Sequence, residues 1–115
     1  MPIVQTGLEA LLARRPSLLR GRRIGLLAHQ ASVTRRLEHA APLLADLRGA
    51  RLLRLFAPEH GLWGGPQDHA RSAHARDPVT GLPVVSLYGA HREPTPAMLR
   101  GLDALVVDLQ DVGAR

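Results

Sequence analysis

Residues Arg22-Arg23-Ile24-Gly25-Leu26-Leu27-Ala28-His29-Gln30 decide the fold. Two arginines introduce an unbroken apolar run, and two proton-handling side chains follow it at once. A strand with one wet face alternates apolar and polar residues; an unbroken run suits a strand covered on both faces, as in a parallel sheet. Working outward, residues 52–57, 83–88 and 105–109 supply three more strand candidates, of which Leu105-Val106-Val107-Asp108-Leu109 is the clearest.

Helical patterns lie between these runs. Over residues 6–15, Thr6 can cap a helix with Glu9 three positions later, Leu8, Leu11 and Leu12 share a face, and Pro16 ends it. A second helix is expected over about residues 34–47, capped by Ser32 or Thr34, with Leu37, Ala40, Ala41 and Leu44 turned inward. Pro42 inside it implies a kink or a late start. A short helix is expected over residues 96–100. Strands and helices alternating at this spacing imply βαβ units with right-handed crossovers. The expected class is therefore α/β, a Rossmann-like, mostly parallel sheet with flanking helices, forming one domain over residues 1–115. The chain stops just past the fourth strand with no closing helix, so the domain is expected to be incomplete, a fragment or a truncated gene product.

Composition narrows the function. Hydrophobic residues make up 45% of the 115, a globular proportion. All 15 basic residues are arginines and the formal charge is +5, which fits either a nucleic-acid surface or a compositional preference for arginine on a solvated face. The arginines are scattered, aromatic stacking groups are limited to Phe56, Trp63 and Tyr88, and no nucleic-acid-binding motif occurs, so no nucleic-acid partner is expected. No run reaches the roughly 18 apolar residues of a membrane span. The opening MPIVQTGLEALLARR does not read as an export signal; if Met1 is the native start, a cytoplasmic location is expected. Without cysteine, thiolate chemistry is excluded.

In open parallel sheets, ligands bind outside the carboxyl ends of the strands. Here the first strand runs into His29-Gln30, the second into Pro58-Glu59-His60-Gly61, and the third into Tyr88-Gly89; Asp108, Gln110 and Asp111 end the fourth. Glu59, between a restricting proline and a releasing glycine, is the sharpest candidate. Partial burial at a strand tip would raise its pKa and suit it to general acid catalysis, although a turn-capping or arginine-paired Glu59 fits the tetrapeptide as well. Asp108 or Asp111 offers the second carboxylate that glycoside hydrolysis usually requires, against the plainer reading of a loop cap. Alternation along the strand leaves open whether Asp108 faces the core. His60, Asp68, His69 and His74 crowd the long segment 58–82, but their spacing matches no zinc signature and no metal or other cofactor is expected.

The segments Phe56-Ala57-Pro58-Glu59-His60-Gly61, Pro83-Val84 through Ser86-Leu87-Tyr88-Gly89, and Asp108-Leu109-Gln110-Asp111-Val112-Gly113-Ala114-Arg115 closely resemble, in matching order, the N-terminal part of the exo-β-N-acetylmuramidases, the DUF1343 family. The likeness spans nearly the whole chain. It implies a Rossmann-like catalytic domain, a second domain absent from this chain, and a site in the cleft between them. The activity implied is bacterial cell-wall turnover: release of N-acetylmuramic acid from the non-reducing end of peptidoglycan fragments.

By position, the resemblance makes Glu59, His60, Asp108 and Asp111 catalytic candidates. His29, Gln30, Gly61, Trp63, Tyr88, Gln110 and Arg115 become substrate-binding ones. His29 stands where the family often has asparagine, and Trp63-Gly64-Gly65-Pro66 replaces a more charged stretch, so sugar contact there could differ. The lactyl carboxylate of muramic acid would want an arginine, with Arg71, Arg76, Arg92 or Arg115 available. The expected partner is a peptidoglycan-derived sugar. With half the cleft missing, the isolated chain is expected to be inactive; the alternative is a non-catalytic muropeptide-binding or interaction module.

Overall fold

The computed structural model describes residues 4–58, 76–87 and 93–110. In chain order the elements are α1 (Gly7–Arg14), a 3-10 turn (Pro16–Leu18), β1 (Arg23–Ala28), α2 (Ala40–Ala45), β2 (Arg51–Ala57), β3 (Val84–Ser86) and β4 (Ala104–Asp108). The four strands form one sheet in the order β3-β2-β1-β4, and every neighbouring pair is parallel. The fold is thus α/β with a Rossmann-like strand order. β1 lies at its centre, hydrogen-bonded to β2 on one side and to β4 on the other.

One face of the sheet holds the main core. Ile24, Leu26 and Ala28 of β1 cluster with Leu52, Leu55 and Ala57 of β2, and with Ala40, Ala41 and Leu44 of α2; Ala104 and Val106 of β4 pack against them. Local chemistry explains the helices that cover this face. Thr6 closes a capping box on α1, its hydroxyl accepting from the Glu9 amide at 3.1 Å while its own amide donates to Glu9 Oε1 at 2.9 Å. That backbone bond from Thr6, more than the reach of Glu9 toward Arg35, pulls the Glu9 carboxyl down to about 2.

The second helix starts later than its sequence pattern suggests. Residues 34–38 form a turn, in which Thr34 Oγ1 accepts from the amides of Arg36 and Glu38 and Leu37 takes a left-handed φ of 62°. His39, not Ser32 or Thr34, caps α2, its ring accepting from the Ala41 amide. This late start resolves the awkwardness of Pro42, which falls in the first turn, where a missing N–H costs no helical bond. Leu37, expected to face inward, is accordingly exposed.

The opposite face is covered by a different segment. Residues 96–100, expected as a short helix, form a series of hydrogen-bonded turns between β3 and β4. Arg54 explains their stability: its guanidinium donates from Nη1 to the carbonyls of Met98 and Arg100 at 2.7 and 2.8 Å, holding the turns over the sheet. The charge that interrupts the apolar run of β2 therefore has a partner on this second face. Beneath the turns, side chains close over Gly25 of β1. The β1–β2 register shifts between Ile24 and Gly25, and a Cβ on Gly25 would lie 2.8 Å from Leu102 Cδ1 and 2.9 Å from Phe56 Cε1. Glycine is required there because the Phe56 ring occupies the space a side chain would need.

Gly25→Ala is therefore expected to lower unfolding stability by about 1–3 kcal/mol through overpacking, read as a lower denaturation midpoint. An unchanged midpoint would show that Leu102 and Phe56 move aside freely.

Candidate active site

The strand order places a topological switch point between β1 and β4. The crossover from β1 to β2 runs through α2 on the core face, whereas the link from β3 to β4 runs through the 94–102 turns on the other face. Where connections leave to opposite sides, the carboxyl ends of adjacent strands open a crevice. β1 and β4 are in register up to Ala28 and Asp108, so His29 and Leu109 are the first residues beyond the sheet.

The groups at this edge are tied together. The Gln110 amide donates to His29 Nε2 at 2.9 Å. The Ser32 hydroxyl donates to the Asp108 carbonyl, and it accepts from the His29 amide at 3.0 Å. The Ser32 hydroxyl also lies 3.2 Å from His29 Nδ1. Behind them His39, buried at the start of α2, donates from Nε2 to the His29 carbonyl at 2.8 Å. His29, Asp108 and Gln110, all expected at the edge, are thus tied together there, and Gln30 follows His29 two residues beyond the end of β1. Gln30 and Gln110 are exposed, while His29 and Asp108 are half-buried.

Alternation settles the orientation that sequence left open. Asp108 shares its side of β4 with Ala104 and Val106, the residues packed on the core. Its carboxyl is held above the ordinary aspartate range by desolvation, which outweighs the lowering influence of His29 and His39. A strand-tip carboxyl beside a switch point whose burial opposes ionisation is a candidate for proton transfer.

Other candidates stand apart. Arg76, one of the arginines considered for a carboxylate-bearing sugar, bridges to Pro83 at the entering end of β3 and donates to the Gly81 carbonyl, at the edge remote from the strand tips. Glu59, His60, Gly61, Trp63, Asp68, His69, His74, Tyr88, Asp111 and Arg115 lie outside the described residues, as do Arg71 and Arg92. The sequence pattern alone does not mark Ser32 and His39 as edge residues. The available signal was a serine three positions after the strand-end histidine, the spacing of a turn that returns its hydroxyl to the strand tip.

The family model for the N-terminal domain of the exo-β-N-acetylmuramidase NamZ matches residues 24–115. The chain belongs to this family. It is 42% identical over 114 residues to the peptidoglycan β-N-acetylmuramidase NamZ of Bacillus subtilis, covering 99% of this chain and 28% of that protein. A solved DUF1343 family protein from Bacteroides fragilis superposes with a TM-score of 0.84 at 40% identity, covering 99% of this chain. A second from the same organism gives 0.70 at 28% identity over the whole chain. In each case the chain spans 28% of the length of the relative. Family membership and the α/β fold therefore agree with the motif resemblance.

The raised Asp108 carboxyl gives a testable sign. A carboxyl whose folded pKa lies above its unfolded value costs stability once pH exceeds the unfolded value, and the cost is complete above the folded one. Asp108→Asn should raise the thermal midpoint at neutral pH, and the gain should shrink as pH falls into the carboxylate range. A lower midpoint for the variant at neutral pH would contradict the desolvation account.

Proposed function

We propose that this chain forms the N-terminal wall of a glycosidase site whose substrate is a peptidoglycan fragment ending in N-acetylmuramic acid, and that the full-length protein releases that sugar from the non-reducing end. The carrying observation is the half-buried Asp108 carboxyl, held above its usual pKa at the β1–β4 switch point, in a chain of the NamZ family. Glycosidic cleavage needs one group to protonate the departing oxygen and a second, carboxylate or equivalent, to support attack on the anomeric carbon. A carboxyl whose surroundings oppose ionisation, as those of Asp108 do, is the better suited of the two groups to the first task.

Glu59, two residues beyond the end of β2, is the further carboxyl this site would use, with His60 beside it. Asp108 and Asp111 would supply the other acid, and Gln30, Gly61, Trp63, Tyr88, Gln110 and Arg115 would contribute to the walls around the sugar. β2 is adjacent to β1, so a side chain leaving the tip of β2 starts one strand spacing, about 5 Å, from the β1 tip. That proximity supports a shared site for the three strand ends.

The test is release of N-acetylmuramic acid from a chromogenic β-muramide by the full-length protein. Glu59→Gln and Asp108→Asn are each expected to lower kcat/KM by roughly 10²–10⁴-fold, the usual weight of a positioned acid or base. Absence of release by the wild type, with muropeptide still bound, would replace this proposal with a non-catalytic binding module. Full activity in Glu59→Gln would remove Glu59 from the mechanism.

A further inference from the structure

We infer that His29 and Ser32 form a clip, fixed in one tautomer, that positions the 108–110 segment at the mouth of the site, so that His29 acts as a positioning residue and not as a sugar ligand. The role rests on the functional reading above, but the clip itself is a matter of hydrogen-bond logic. Both ring nitrogens of His29 meet backbone amides: Gln110 N–H at Nε2, 2.9 Å, and Ala31 N–H at Nδ1, 3.2 Å. A neutral imidazole has only one lone pair to offer, so one of these contacts is not a hydrogen bond.

Ser32 decides which. Its hydroxyl proton is committed to the Asp108 carbonyl, leaving its oxygen as an acceptor toward the ring nitrogen 3.2 Å away. The consistent arrangement puts the ring proton on Nδ1, donating to Ser32 Oγ, with Nε2 accepting from Gln110. The shorter amide contact is the genuine one, and the Ala31 amide merely lies alongside.

The result is a continuous chain from the β1 turn to β4: His29 Nδ1–H to Ser32 Oγ, Ser32 O–H to the Asp108 carbonyl, and Gln110 N–H back to His29 Nε2. It grips β4 on both sides of Leu109, just where the sheet ladder has ended at Asp108. These side-chain bonds therefore take over where backbone pairing stops, and they fix the direction in which Leu109 and Gln110 leave the sheet. With both ring nitrogens engaged in this way, His29 has no spare donor or acceptor for a substrate hydroxyl. His39 provides a built-in contrast. It accepts at Nδ1 from Ala41 and donates from Nε2 to the His29 carbonyl, so its proton sits on the other nitrogen.

The experiment has two arms. Long-range ¹H–¹⁵N correlation spectra of the ¹⁵N-histidine-labelled full-length protein at neutral pH should show His29 protonated at Nδ1 and His39 at Nε2. His29 found as the Nε2–H tautomer, the form favoured in free neutral imidazole, would overturn the clip. In the kinetic arm, His29→Phe should lower kcat on the muramide on the order of tenfold with KM changed less than about twofold. His29→Gln, which can offer an amide oxygen to Gln110 N–H, should recover part of that loss. A rise in KM at unchanged kcat would identify His29 as a sugar ligand and overturn the inference. If the wild type releases no muramic acid, the proposed function fails while the tautomer still decides the clip.

Discussion

Parallel pairing of β1 on both of its edges is the constraint from which the rest of the structure follows. β2 and β4 flank it, and a parallel neighbour can be reached only by a crossover that leaves the sheet and returns. The two crossovers pass over opposite faces, so β1 must be apolar on both. Ile24, Leu26 and Ala28 meet α1 and α2 on one side, and Gly25 admits Phe56 and Leu102 on the other. The same division makes the carboxyl edge between β1 and β4 the switch point of the sheet. Core and switch point are thus two consequences of one connectivity.

At that edge the protein accepts a local cost. Asp108 lies on the covered side of β4, and desolvation disfavours its charged form. Nothing comparable occurs at the other end of the same strand. There Asp103 receives the Arg23 backbone amide and pairs with its guanidinium, which holds its carboxyl below the usual range. The Asp103 pair joins the starts of β1 and β4 but is largely exposed, where an ion pair contributes little. Two aspartates five residues apart are therefore driven in opposite directions by their surroundings. The one whose environment opposes ionisation lies at the edge where ligands bind in folds of this kind.

Much of this arrangement was legible in the sequence because it follows from short-range rules. The uninterrupted Ile24-to-Ala28 run announced a doubly covered strand, and the Thr6–Glu9 spacing announced a capped helix. Polar residues directly after apolar runs marked the strand tips, which brought His29, Gln30, Asp108 and Gln110 to one edge. What escaped depended on tertiary partners. The α2 boundary was set by His39 reaching both Ala41 and the His29 carbonyl, a bond no periodicity reveals. The 96–100 segment remained a series of turns while Arg54, more than forty residues earlier, took up two of its carbonyls. Ser32 looked like a helix cap because serine before a helical pattern usually is one; here its hydroxyl turns back to β4. The orientation of Asp108 required the register of β4 against the core, which the motif resemblance could not provide.

The most direct test of the account is amide chemical-shift mapping of the full-length protein during titration with N-acetylmuramic acid. The switch-point assignment predicts that saturable shifts cluster at residues 29–32 and 108–110, with the amides of Arg22, Arg23, Arg51 and Asp103 at the opposite end of the sheet unmoved. Shifts confined to that opposite, arginine-rich edge, with none at residues 29–32 and 108–110, would contradict it.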